Sequence, residues 1–308
     1  QDKSLKTVKE IRSAFGGYTL LGLIPSTHNK SLPTSQDPVP TSLEIAVRDT
    51  PRSIASEMSH SIQSNLRFMG SETSLKKIVV TSSVANEGKS KVAANLAAAI
   101  SLTGRKVLLI DADLRVPYQH KFWKLPLRKG LSELLAKMYK FKTVAWRVMD
   151  NLDILTTGSR SPDSLFCLDS VLMKSLIEEV SSLYDFIIID ASPILVAADA
   201  LILGRMTNGI LLVSRPGIIN TALAKVAQEK LQISRCNVLG LIVNGVIAKH
   251  ESENHFVATQ ACFRDEPESE LASTTDYTNN FGGAISDQFR QETGFTNNYQ
   301  KSRPASDH

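Results

Sequence analysis

The 308-residue sequence lacks any apolar run approaching the roughly 18–20 residues that a membrane-spanning helix needs; runs such as 107–110 and 186–189 are strand-sized. It also lacks a recognisable signal peptide, because the N-terminus is polar and no apolar segment follows it. Gln1 is not an initiator Met, which fits a piece of a longer polypeptide. Cysteine is scarce. Cys167, Cys236 and Cys262 are odd in number and far apart, which speaks against a disulfide framework and fits a reducing compartment. His250, His255 and Cys262 match no zinc-ligand spacing. Aromatic residues make up only 6%, and no aromatic-interleaved basic stretch or groove-reading motif is present, so no nucleic-acid partner is expected. Acids are nearly missing between 115 and 147, where Glu133 stands alone against nine Lys and Arg.

What is there suits a soluble core: 42% hydrophobic and 21% charged residues. The net charge of +4 is uneven. Residues 1–70 carry +2 (8 basic, 6 acidic), residues 71–249 carry +8 (23 and 15), and residues 250–308 carry −6 (4 and 10). The basic 115–147 stretch reads first as a solvated face; an anionic lipid surface, an acidic peptide or a neighbouring subunit is the alternative.

A short helix is expected within 5–15, followed by an apolar run from Tyr18 to Ile24 that Pro25 ends. Residues 26–43, rich in Ser, Thr and Pro, read as a linker, and a helix is expected over 51–68 with Pro51 in its first turn. From there apolar, β-branched runs at 77–81, 106–110, 152–155, 186–190, 210–213 and 238–243 alternate with longer segments, several of helical periodicity (89–103, 130–138, 170–183, 221–232). This alternation predicts an α/β fold: a mainly parallel twisted sheet with helices on both faces, and a site at the carboxyl ends of the strands. The expected organisation is a segment 1–25, a linker 26–50, a nucleotide-binding domain 51–248, and an acidic, disordered tail 249–308.

Three motifs carry chemistry. The first is Ser82-Ser83-Val84-Ala85-Asn86-Glu87-Gly88-Lys89-Ser90-Lys91, between a predicted strand and an Ala-rich helix. Gly-Lys-Ser alone is common by chance; in this setting backbone N–H groups of the loop and the helix N-terminus point at phosphate oxygens. Lys89 then reaches the β- and γ-phosphates and the Ser90 hydroxyl binds Mg²⁺, with Glu87, Gly88 and Lys91 lining the same loop. The strict phosphate-loop pattern fails at its first glycine, where Ser83 stands. The second motif is Asp111-Ala112-Asp113-Leu114-Arg115, which puts two carboxylates on one face at a strand end. Such a pair can hold Mg²⁺ or take a proton from an attacking hydroxyl. The third is a hydrophobic strand ending in Asp190, placed to orient Mg²⁺ or its water. Asn244 at the end of the last strand either reads a base edge or only terminates the strand.

These motifs in this order, with Pro117, His120 and Gly130-Leu131-Ser132 following the second, resemble the bacterial tyrosine kinases of capsule and exopolysaccharide assembly, a group related to the MinD/ParA ATPases. The resemblance spans about residues 1–248 and includes Leu21-Gly22-Leu23-Ile24-Pro25 and Asn65-Leu66-Arg67-Phe68. It implies ATP and Mg²⁺ as cofactors, Lys89 and Ser90 on phosphate and metal, Asp111 and Asp113 in metal binding and catalysis, and Asp190 in the metal shell. It further implies protein substrates, a membrane chain-length regulator region as partner, a homo-oligomer, and a place in the cytoplasm at the inner face of the plasma membrane. The sequence departs from the family at several positions. Lys91 replaces a Thr, Asp190-Ala191-Ser192-Pro193 replaces Asp-Ser/Thr-Pro-Pro, and Asn208 replaces an Asp before a late strand. The ring-forming Glu-x-x-Arg-x-x-Arg has become Glu57-x-x-His60-x-x-Gln63, and only Tyr277 and Tyr299 remain in the tail. Without the two arginines, a stable ring of this part alone is not expected. A MinD/ParA-like regulatory ATPase and a nucleotide-binding structural module remain as alternatives. The first is disfavoured because Ser82 to Gly88 hold no extra lysine.

Overall fold

The computed structural model describes residues 3–26, 43–69, 75–159 and 168–247. The chain divides into two units, 1–260 and 261–308, and all described residues belong to the first. The expected tail 249–308, most of the expected linker and Cys167 lie outside the described residues.

The first unit is built on one eight-stranded sheet. Its strands are β1 (Leu20–Pro25), β2 (Lys77–Ser82), β3 (Val107–Asp111), β4 (Ala145–Met149), β5 (Leu152–Leu155), β6 (Phe186–Asp190), β7 (Gly209–Ser214) and β8 (Val238–Val246). They lie in the order β1-β8-β7-β2-β6-β3-β5-β4. All neighbours are parallel except β4, which pairs antiparallel with β5 at the edge. The expected α/β architecture is the one observed.

The strands are apolar throughout because both faces are covered. Alternation along each strand divides the side chains between two cores. Val79, Leu108, Ile110, Ile187, Ile189 and Leu212 point to one. Ile78, Val80, Leu109, Ile188, Leu211 and Val213 point to the other. Helices α1 (Val8–Ala14), α7 (Val171–Leu183), α8 (Asp199–Arg205) and α9 (Thr221–Ser234) contribute Ile11, Ile177, Leu203 and Leu231 to the first core. Helices α2 (Ala46–Asp49), α3 (Ile54–Met69), α4 (Lys89–Ser101) and α5 (Gln119–Phe122) contribute Val47, Ile62, Leu96 and Phe122 to the second. The short α6 (Leu131–Leu135) buries Leu131 in the first core.

Local chemistry sets the helix starts. Thr7 and Glu10 form a capping box at α1. Ser170 and Asn220 accept the N–H groups of Met173 and Leu223 at the starts of α7 and α9. Helix α3 begins at Ile54, three residues after Pro51, because the Ser53 hydroxyl accepts the N–H of Ser56 and Pro51 sits in the preceding turn.

Three features were not legible as such. The run before Pro25 is not an appendage: β1 pairs with β8, and Leu5, Val8, Ile11 and Phe15 are buried in the same core as the sheet. Residues 43–49, assigned to the linker, contain α2 and bury Ile45, Ala46 and Val47. Strand β4 went unseen because Arg147 interrupts its apolar pattern. In the sheet Arg147 lies opposite Asp153 and is paired with its carboxylate, which also accepts the Tyr184 hydroxyl at 2.7 Å. Asn208 accepts the N–H groups of both Lys76 and Lys77, so its amide ties the start of β7 to β2.

Candidate active site

The order of strands determines the site. The chain passes from β2 over β6 to β3, and from β6 back over β2 to β7. Crossovers in opposite directions leave a crevice at the carboxyl ends of β2, β3, β6 and β8. A cavity of about 570 Å³ opens there, well within the range of nucleotide and cofactor sites.

The loop between β2 and α4 forms one wall. Gly88 has φ +89, and a Cβ there would fall 2.1 Å from the Asn244 Nδ2, so this position favours glycine on two counts. Asn244 donates from Nδ2 to the Glu87 carbonyl oxygen at 2.9 Å, bracing the loop from β8. Of the two readings left open for Asn244, its amide nitrogen is engaged with the loop itself.

Glu87 is fully buried, and its carboxylate turns inward. It accepts from the Val84 N–H at 2.9 Å, the Ser214 hydroxyl at 3.0 Å and the Arg215 N–H at 3.3 Å. The side chain therefore organises the loop, and Glu87 does not border the cavity. Burial pushes its pKa up to about 7, against the pull of these hydrogen bonds. The folded state thus holds the proton more tightly than the unfolded chain, so this group favours folding below about pH 4.5 and loses that contribution as pH rises through 7. Glu87→Gln removes the titration. The stability of the wild type relative to Glu87→Gln is expected to fall by about 3 kcal/mol between pH 4.5 and pH 8. Urea unfolding at both pH values measures it; a pH-independent difference would mean that Glu87 titrates normally.

Lys89 lies at the centre. Its Nζ is 2.8 Å from Asp113 Oδ2, 3.0 Å from Asp190 Oδ1 and 3.1 Å from the Ser90 hydroxyl. Burial works to lower its pKa, but the two carboxylates outweigh burial and hold it above the usual lysine range. Asp113 is likewise buried, yet Lys89 and the hydrogen bonds from Val116 N–H and the Ser192 hydroxyl hold its carboxyl below the ordinary value.

Asp111 and Asp190 stand side by side as register partners at the ends of β3 and β6. Burial first, and the Asp190 carboxylate second, push Asp111 up to about 8. Its Oδ2 accepts the N–H groups of Tyr118 and Gln119 at the start of α5, and the Asp113 N–H approaches Oδ1. Of the three acids, only Asp113 borders the cavity, together with Gly88, Lys89, Ser90, Lys91 and Asn244; Asp111 and Asp190 sit behind it.

Several residues in this network carried no sequence signal. Gln119, fully buried, donates from Nε2 to both Asp190 Oδ2 and the Ser90 carbonyl at 2.9 Å. The Ser192 hydroxyl donates to Asp113 Oδ1 at 2.9 Å. Asp199 approaches Arg115 at 3.6 Å. Arg215 lines the cavity beside Gly245.

A family profile described as an AAA domain matches residues 75–232. Tyrosine-protein kinase YwqD of Bacillus subtilis (strain 168) is 37% identical over 214 residues, which span 69% of this chain and 90% of that protein. This chain belongs to the bacterial tyrosine kinase family. A second family member, the putative tyrosine-protein kinase CapB of Staphylococcus aureus, is 33% identical over 64% of this chain and 87% of its own length. The solved structures agree with the fold. The chimerical protein CapA2B2 aligns with a TM-score of 0.69 at 28% identity, covering 77% of this chain and 98% of that one. The kinase domain of Escherichia coli tyrosine kinase ETK aligns with a TM-score of 0.67 at 29% identity, covering 77% and 94%. Among the described residues of this family member, no helix is long and apolar enough to cross a membrane.

Proposed function

We propose that this chain is an ATP-binding protein-tyrosine kinase domain that transfers the γ-phosphoryl group to a tyrosine hydroxyl, in the setting of capsule or exopolysaccharide assembly. The observation that carries the reading is the convergence of Lys89, Asp113 and Asp190 within ion-pair distance beside a cavity that the loop residues Ala85, Asn86, Gly88 and Ser90 also line. The relatives named as tyrosine kinases, one of them encoded in a cps region, support the activity and the setting.

The donor set suits Mg²⁺. The Ser90 hydroxyl would supply an oxygen ligand at the cavity wall, with the Asp111 and Asp190 carboxylates behind it. Mg²⁺ prefers one or two carboxylates, water and substrate phosphates to a cage of protein ligands. When bound, the ion neutralises charge on the transferring phosphoryl group. The chain's own residues do the rest. Lys89 exchanges its carboxylate partners for the phosphates. Asp113, held at Oδ1 by Ser192 and the Val116 N–H, accepts the tyrosine proton at Oδ2 once Lys89 has moved. Asp190 and Gln119 fix the position from which Lys89 departs. Glu87 and Asn244 keep the loop in shape.

The partner we assign is a membrane chain-length regulator region, on the same or a separate polypeptide, with the domain at the inner membrane face. In place of the two ring arginines stand His60 and the buried Gln63, so we expect no stable ring of this domain alone. Incubation with labelled Mg·ATP tests the activity. Phosphotyrosine, at Tyr277, Tyr299 or an added protein, is the expected product. Free phosphate alone would instead identify a regulatory ATPase, and neither product a structural module.

A further inference from the structure

Away from the cavity, the segment around α6 gathers exposed positive charge. The chain leaves α6 through a turn in which Lys137 has φ +59, a left-handed conformation that favours glycine. Met138 follows it and is 66% exposed. Leu135 and Phe141, on either side, are buried and hold the base of the turn in the core. Lys137, Lys140 and Lys142 are exposed along it. Exposed Arg128 and Lys129 join them from the preceding loop, because the Lys129 Nζ stands 4.6 Å from the centre of the Tyr139 ring. None of these five cations forms an ion pair among the described residues. Glu133, the only acid in sequence between 114 and 149, is 7% exposed and turned inward. Its carboxylate accepts the Gly130 N–H and the Ser159 N–H, each at 2.9 Å, and the Ser159 hydroxyl. The sequence alone allowed this stretch to be a solvated face; the structure shows its cations on one turn, around an exposed methionine, with the local acid withdrawn.

We propose that this turn docks on an anionic membrane surface, with Met138 entering the headgroup layer and Arg128, Lys129, Lys137, Lys140 and Lys142 meeting the lipid charges. This deepens the placement at the inner membrane face proposed above and does not depend on kinase activity. The form of the patch favours lipid over an acidic peptide. None of the six side chains lines the active-site cavity. A bound peptide needs pockets or backbone pairing to fix its register. A lipid surface asks only for net positive charge and an apolar tip. Each cation close to an anionic leaflet strengthens binding about fivefold. The attraction fades within a Debye length, so only exposed cations on one side of the domain count. Arg147, already paired with Asp153, adds little.

The test is co-sedimentation of the chain with vesicles of phosphatidylcholine alone and of phosphatidylcholine mixed with phosphatidylglycerol, at low and at raised salt. The wild type should bind only the anionic vesicles, and raised salt should release it. Lys137→Gln, Lys140→Gln and Lys142→Gln combined should weaken binding about a hundredfold, whereas the same three positions changed to Arg should bind as the wild type does. Met138→Ser should weaken it about tenfold, through lost apolar burial. The positions are exposed, so unchanged melting temperatures are expected; if the triple variant is unstable, Lys140→Gln with Lys142→Gln decides, at a loss of about twenty-five-fold. Equal binding to both kinds of vesicle, or a Gln variant that binds as tightly as the wild type, would overturn the proposal. So would a wild type that binds soluble polyglutamate but not anionic vesicles, since the occupant would then be an acidic peptide. Phosphotyrosine formation without lipid should be the same in all these variants. A wild type that ignores lipid yet forms phosphotyrosine loses this surface and keeps the kinase reading; one that docks but forms none does the reverse.

Discussion

Lys89→Met is expected to bind ATP about a hundredfold more weakly than the wild type, by calorimetry, because a charge-assisted phosphate contact is lost. It should also be less stable without nucleotide. The Lys89 ammonium is the counter-ion of Asp113 and Asp190, whose side chains are only 4% and 0% exposed. Removing one member of a buried ion group typically costs about 3–5 kcal/mol, because the remaining charges stay unpaired. The deficit should depend on pH. Lys89 is the chief influence holding Asp113 low. Without it burial pushes the Asp113 carboxyl above its unfolded value, so that it favours folding only when protonated, a contribution present at low pH and lost as pH rises. Urea unfolding at pH 5 and pH 8 should therefore show the larger deficit at pH 8. Equal affinity for ATP would sink the assignment of Lys89 to the phosphates. An equal deficit at both pH values would mean that the carboxylates do not depend on it.

Asp113→Asn should act on the chemistry instead. We expect phosphotyrosine formation to fall about 10²–10⁴-fold, the usual worth of a positioned general base, with ATP affinity within about tenfold of the wild type. The asymmetry comes from position. Asp113 is the one acid of the three that borders the cavity, whereas Asp111 caps the start of α5 and Asp190 lies beneath Lys89 and Gln119. An amide at 113 still accepts from the Ser192 hydroxyl or the Val116 N–H but cannot take a proton. Single-turnover rates beside equilibrium binding separate the two effects. Unchanged turnover would remove Asp113 from the mechanism.

Much of the fold could be read from the chain because its signals are local. Apolar runs of strand length alternate with helical periods, and residues 77–82, 107–111 and 186–190 carry side chains for two covered faces, which only a sheet wrapped on both sides satisfies. The Gly88-Lys89-Ser90 turn was legible for the same reason: a strand, a positive-φ glycine and a helix start are consecutive in sequence. Strand β1 was less legible, since six residues ending in a Pro become a sheet edge only once β8 offers its unpaired side. The role of Glu87 could not be inferred locally either. Its carboxylate turns inward because Ser214 and Arg215, 127 and 128 residues later, meet it at the neighbouring strand end.

What the sequence by itself determined was the class of fold, the order of the three acidic and phosphate-facing motifs, and the family to which they belong. Each is written in residues within a few positions of one another, where backbone geometry alone relates them. The tertiary structure decided which of these side chains face the cavity and what holds them. Gln119 joins Ser90 to Asp190, Ser192 steadies Asp113, and the Ser214 hydroxyl and Arg215 N–H hold the Glu87 carboxylate. Those relations cross 29 to more than 100 residues. They exist because crossovers in opposite directions bring the ends of β2, β3, β6, β7 and β8 to one edge of the sheet, where burial then assigns each charge its partner.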